Sequence, residues 1–206
     1  MKISAASAVR IALFFLALLP MRGQAADLDG VTLPDHINIG GHSLVLNGLG
    51  IRKATIFGLH VYVAGLYLQQ RDSSGEDILG NADPKYILIE LKRSVSRDDI
   101  VEAWEDGLTL NVENPESYIL RLNAVTEPMD DVLAGERVGI LFEKDRVEME
   151  IPGNRKFTVD GENFGNVLLS IWLGKNPPSR SLKNGLLGEG LLRTTLARAP
   201  ATTNLK

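Results

Sequence analysis

The segment IFGLHVYVAGLYL, Ile56 to Leu68, constrains the fold more than any other part of the chain. Its 13 residues are mostly Val, Ile, Leu and aromatic. A membrane-spanning helix needs about 20 apolar residues, so the segment is too short to cross a bilayer. Gly58 and Gly65, together with the β-branched residues, disfavour a helix. It reads as a long strand buried on both faces, which must lie inside a sheet. Upstream, Ser43 to Ile51 reads as a partner strand interrupted by Gly48 and Gly50, with Arg52-Lys53-Ala54-Thr55 as the connection. Side chains alternate across a strand, so His60 and Tyr62 are expected on one face, which is otherwise apolar.

The remaining pattern supplies the other layers. A short strand is expected at Ile37 to Ile39, and another at Tyr86 to Leu91 after the Asp83-Pro84 turn. Ser96 has the character of an N-cap, followed by Asp98 and Asp99 in a first turn and by Ile100, Val101, Trp104 and Leu108 at helical spacing. A second helix is expected from Asn114-Pro115-Glu116, with Tyr118, Leu122 and Val125 on one stripe. Alternation returns at Val138, Ile140 and Phe142, then at Val147, Met149 and Ile151, and after Pro152-Gly153-Asn154 at Phe157 and Val159. Phe164, Val167, Leu168, Ile171 and Trp172 follow helical spacing, and a last short helix covers Ser181 to Leu187. Strands, helices, strands and helices in that order predict an α+β fold, an antiparallel β-sheet with helices packed on one face.

The N-terminus carries Lys2 and Arg10 ahead of the apolar run Ile11 to Leu19, then Pro20 and the small residues of Gly23-Gln24-Ala25. This is the pattern of a cleaved signal peptide over residues 1–25, with Ala26 as the alternative last residue. Residues 27–188 are expected to form one domain, and 189–206, rich in Ala, Thr and Pro at the end, a disordered tail. Removing Lys2, Arg10 and Arg22 from the 22 basic residues leaves 19 against 26 acidic ones, a charge of −7. That balance argues against nucleic acid as a partner. With no cysteine, disulfides and thiolate chemistry are excluded, and an exported chain of this kind suits a periplasm. No stable membrane span is expected once the signal is removed.

Most chemical motifs are missing. His36, His42 and His60 offer no pair at metal-ligand spacing, so no metal is expected. Gly48-Leu49-Gly50 is too short for a dinucleotide fingerprint, no Walker lysine-serine pair exists, and no Gly-x-Ser-x-Gly elbow occurs; no cofactor is expected. What remains is Arg52 beside His60 and Tyr62. A guanidinium next to a phenol in apolar surroundings suits a carboxylate or an enolate-like oxyanion. The alternative is that Arg52 tips an exposed turn while His60 and Tyr62 are core residues bonded to backbone.

Two segments carry a family resemblance. GLGIR with FGLHVYVAGLYL, and FGNVLLSIWLGKNPPSRSLKNGLLG from Phe164 to Gly188, together resemble the chalcone isomerase-like family, in particular its short exported bacterial members. The resemblance implies the open-faced β-sandwich of that family, with a cleft between the sheet and the helices. Plant members cyclise chalcones by intramolecular Michael addition, using an arginine, a threonine, a tyrosine with a nearby asparagine, and a hydroxyl on the late helix. Carried over, the arginine matches Arg52, the threonine falls on Tyr62 and the hydroxyl on Ser170. The tyrosine and asparagine fall near Ile100 and Gly107, which match neither.

Related fatty-acid-binding members hold a carboxylate with an arginine and a tyrosine, a pair that Arg52 and Tyr62 resemble. The leading expectation is therefore a periplasmic, non-catalytic binder of a small amphipathic carboxylate such as a fatty acid. Arg52 and Tyr62 would clamp the acid, His60 and Ser170 would add polar contacts, and Trp104, Phe164, Ile171 and Trp172 would wall the cleft or simply fill the core. The competing expectations are an isomerase, an intramolecular lyase with Arg52, Tyr62 and Ser170 as its catalytic groups, and a structural or partner-binding envelope protein.

Overall fold

The computed structural model describes residues 25–54 and 58–189. The expected signal peptide and disordered tail lie outside the described residues, except for Ala25 and Glu189 at their inner ends.

Seven strands build one antiparallel sheet in which each pairs with its neighbour in sequence. They are β3 (His36–Ile39), β4 (His42–Lys53), β5 (His60–Leu68), β6 (Lys85–Leu91), β7 (Arg137–Glu143), β8 (Arg146–Ile151) and β9 (Arg155–Asp160). The helices are α1 (Gly75–Gly80), α2 (Arg97–Asn111), α3 (Glu116–Thr126), α4 (Phe164–Leu173) and α5 (Arg180–Leu186). Helices α2, α3 and α4 cover one face, where Leu66, Ile87, Ile140 and Met149 of the sheet meet Leu108, Leu122, Leu168 and Trp172. The α+β architecture expected from the pattern is the one observed.

The other face is capped by a hairpin that precedes the first strand expected from the pattern. Strands β1 (Ala25–Leu28) and β2 (Val31–Pro34) pair antiparallel. Their turn places Asp29 at φ 55° and Gly30 at φ 74°, the positive pair of a type I′ turn for which Asp-Gly is suited. Val31 and Leu33 pack on Leu44, Leu46, Val63 and Tyr67 in a second, smaller core.

Local chemistry sets the helix positions. The Ser96 hydroxyl accepts from Asp99 N at 3.2 Å, with Asp98 and Asp99 in the first turn of α2. Helix α4 buries nine of its ten residues, leaving only Asn166 partly exposed, because it is sandwiched between the sheet and the other helices. Helix α5 lies against β4 backbone to backbone. A Cβ on Gly48 would sit 2.1 Å from Gly185 O, and one on Gly50 2.3 Å from Leu182 O. The two glycines that interrupt the strand pattern are therefore what lets α5 seat.

Candidate ligand-binding site

Two irregularities of the β4–β5 pair decide which side chains face the helices. The first is a register shift between Leu46 and Gly48. It puts Asn47 out of the ladder, where its amide donates to Asp72 O and Leu186 O and accepts from Asp72 N. Leu44 and Leu46 belong to the hairpin-side core, whereas Gly48 and Gly50 lie against α5. Arg52 continues the Gly48–Gly50 row. It lies within β4, directly opposite Tyr62 in the register, and not in a connecting turn as the pattern had suggested.

The second shift falls between Arg52 and Lys53, whose partners are Tyr62 and His60, so Val61 has no partner across the pair. This bulge breaks the alternation that would have kept His60 with Tyr62. Val61 and Tyr62 both line a cavity, and His60 does not. Its Nδ1 donates instead to Asp29 Oδ2 at 2.8 Å, across to the tip of the β1–β2 hairpin. That bond, with Lys92 nearby, holds the Asp29 carboxyl below its ordinary range. His60 is a hairpin clasp and not a cavity residue.

The cavity measures about 480 Å³ and lies between the sheet and the α2–α4 layer. Its walls are mainly apolar: Ile89 and Leu91 from β6, Val138 from β7, Ile100, Trp104 and Gly107 from α2, and Ile171 and Trp172 from α4. Trp104 and Trp172 meet edge to face at 5.6 Å, and Gly107 lets α2 approach Ile171 so closely that a Cβ there would be 2.8 Å from Cγ2. Phe164 is wholly buried but belongs to the core beyond this wall.

Arg52 and Tyr62 are the polar groups that the sheet brings to this space. Among the described residues, Arg52 has no carboxylate within ion-pair distance; one guanidinium nitrogen donates to Lys53 O. Trp172 Nε1 donates to the Tyr62 hydroxyl at 3.2 Å. Burial pushes the Tyr62 phenol up to about 12, against the opposing pull of the indole N–H and of the Arg52 charge. Tyr62 is thus a neutral donor at ordinary pH. With one lone pair occupied by the indole, and no described side chain or carbonyl accepting its proton, its O–H is available to a ligand.

Ser170 is not brought to this cavity. Its hydroxyl donates to Val167 O at 2.6 Å, and the residue borders a separate depression with Tyr118 and Asn166. Successive residues of a helix point about 100° apart, so Ile171 and Trp172 facing the cavity direct Ser170 elsewhere. Sequence reasoning also passed over Asp99 and Asp106, which line the cavity from α2. Their spacing with Ala103 and Leu110 is a helical stripe and was there to be read. Among the described residues, no group of His, Asp and Glu is placed to hold a metal ion.

Helices layered on one side of an antiparallel sheet, with an arginine and a tyrosine at the cavity between them, define a recognisable class. The chain matches the chalcone isomerase-like family over residues 25–188, and it belongs to that family. No curated protein matches it. Among solved structures it is similar to a fatty-acid binding protein of Arabidopsis thaliana, with 16% identity and a TM-score of 0.62, over 80% of this chain and 96% of that one. At that identity the likeness is one of fold. No helix among the described residues is long and apolar enough to cross a membrane.

Proposed function

We propose that the protein is an exported, periplasmic binding protein of the bacterial type that holds a small amphipathic carboxylate, such as a fatty acid, without converting it. Arg52 supplies the charge and Tyr62 a second hydrogen bond, while the acyl chain enters the apolar cavity. The observation that carries this reading is the direct pairing of Arg52 with Tyr62 on the helix side of the sheet, at a cavity of about 480 Å³. Ligand sites of small molecules span roughly 300–1,000 Å³ and combine apolar walls with few polar groups. Each methylene taken from water contributes about 0.8 kcal/mol, and hydrogen bonds to a charged group about 1.5–3 kcal/mol. The similarity in fold to a fatty-acid binding protein supports the same reading.

The non-catalytic half of the proposal rests on α2. The positions to which the family resemblance assigns a tyrosine and an asparagine are near Ile100 and Gly107, and both lie on the cavity wall. Neither can donate a hydrogen bond from its side chain, so the two donors that the resemblance assigns to those positions are missing from this wall. The export half rests on the N-terminal sequence pattern alone.

Native extraction tests the proposal. The mature protein, purified from a periplasm without detergent, is expected to carry a monocarboxylic lipid identifiable by mass spectrometry, and Arg52→Ala to carry little. Equal lipid content in both, or none in either, would refute the carboxylate clamp. Incubation with a chalcone is expected to leave the enone absorbance unchanged; Arg52-dependent loss would show that the site does chemistry.

A further inference from the structure

The cavity carries a charge pattern that a simple carboxylate clamp does not need. Asp99 and Asp106 both line it from α2, and both are exposed. Among the described residues, neither has a basic side chain within ion-pair distance. Among the described residues, Arg52, from the opposite, sheet side, is the single formal cation of the lining, whose formal charges sum to −1. The two carboxylates are seven residues apart on one helix, about 10 Å along its axis at 1.5 Å per residue. They therefore border the space along its length and not at one point. The other α2 residues on this wall, Ile100, Ala103, Trp104, Gly107 and Leu110, are uncharged.

We infer that Asp99 and Asp106 are specificity residues that make the site selective for amphiphiles with a single anionic group, rejecting those with a second anion and accepting those whose second charge is positive. The inference rests on the carboxylate-binding reading above. A monoanion can pair with Arg52 and Tyr62 while presenting only methylenes to α2. An elongated dianion with one end on Arg52 brings a second negative charge to a cavity whose helix side carries both carboxylates. Because both carboxylates are exposed, that repulsion acts through solvent and is strongest at low ionic strength. A distal ammonium meets the same two groups with attraction.

The test compares three ligands of equal chain length: dodecanoate, dodecanedioate and 12-aminododecanoate. Trp104 and Trp172 are the two tryptophans of the protein and both line the cavity, so intrinsic fluorescence reads the site. The full mature chain is titrated at low ionic strength as wild type, as Asp99→Asn with Asp106→Asn, and as Glu102→Gln. Glu102 is an exposed acid of the same helix that does not line the cavity. It controls for the general negative charge of the protein.

Dodecanedioate is less apolar than dodecanoate and is expected to bind more weakly in every case, so the affinity ratio is what counts. The inference expects the double variant to raise the dodecanedioate-to-dodecanoate affinity ratio by about 5–20-fold, and to lower the 12-aminododecanoate ratio by about 3-fold or more. Glu102→Gln is expected to leave both ratios unchanged, and 0.5 M salt to shrink the wild-type discrimination. Unchanged ratios in the double variant, or an equal change in Glu102→Gln, would overturn the inference while leaving the carboxylate clamp intact. If dodecanoate binding does not depend on Arg52, the clamp reading itself falls, and the selectivity reading with it.

Discussion

Arg52 faces the helices because of a residue five positions earlier. Asn47 leaves the β4 ladder and finds its hydrogen bonds on Asp72 and Leu186. The strand beyond it then presents Gly48, Gly50 and Arg52 to the helix side. The second shift, at Val61, keeps Tyr62 beside Arg52 and sends His60 to Asp29. Each bulge moves one set of side chains across the sheet, which is the cost and the use of an extra residue in a ladder. Replacing Tyr62 with Phe removes one hydrogen bond to the ligand but keeps the ring, so a carboxylate should bind about 3–10-fold more weakly in a fluorescence titration. His60→Ala and Ser170→Ala should leave that affinity unchanged, since neither side chain reaches the cavity.

At the scale of elements, the glycines of β4 are contact surfaces for α5. Ala at position 50 would drive a Cβ into the Leu182 carbonyl, and neither backbone can yield without the other. Gly50→Ala should lower stability by about 2–3 kcal/mol in a urea melt. The cap of α2 should be worth less, about 1 kcal/mol lost for Ser96→Ala.

Most of these elements could be read from the chain. Alternation exposed β6 to β9, and Ser96 and the helical stripes exposed α2 and α4. The hairpin of β1 and β2 escaped because its strands are four residues each, too short for a period, although Asp29-Gly30 is a turn signal in its own right. Helix α1, six residues long, escaped for the same reason. For the site, the closeness of Arg52 and Tyr62 was legible because they flank one short connection between strands expected to pair; that both face the helices was not, since two bulges set it. The exclusion of His60 was not legible either, since a bulge is settled by pairing across strands and leaves no local mark. Nor was that of Ser170, because a helix buried almost all round hides which of its sides meets the cavity.

At the scale of the molecule, the two faces of the sheet are unequal. The helix face holds the larger core and the cavity; the hairpin face holds a small core around Tyr67, whose hydroxyl donates to Pro34 O at 3.0 Å. Tying the helix layer together is Lys85, which is 1% exposed and donates to Asn81 O at 2.7 Å and to Asn166 Oδ1 at 2.9 Å. Burial brings its amine down to about 8, only partly opposed by Asp83.

Between that value and the ordinary 10.5, the unfolded chain holds a proton that the folded chain has released. Stability therefore rises with pH across this window on account of Lys85. Comparison of wild type with Lys85→Met in denaturant melts from pH 7 to 10 should show that rise in the wild type and its loss in the variant. Above pH 10, Tyr62 and Tyr86, both pushed up to about 12 by burial, act in the opposite sense. The folded chain keeps phenolic protons that the unfolded chain loses, and stability falls.

The most direct test of the whole account is a calorimetric titration of the mature, delipidated protein with dodecanoate, set against Arg52→Ala under the same conditions. The account predicts one ligand per chain in the wild type and an affinity about 10–100-fold weaker in the variant, matching the loss of a charge-assisted hydrogen bond. Equal affinities, with both proteins folded, would contradict it.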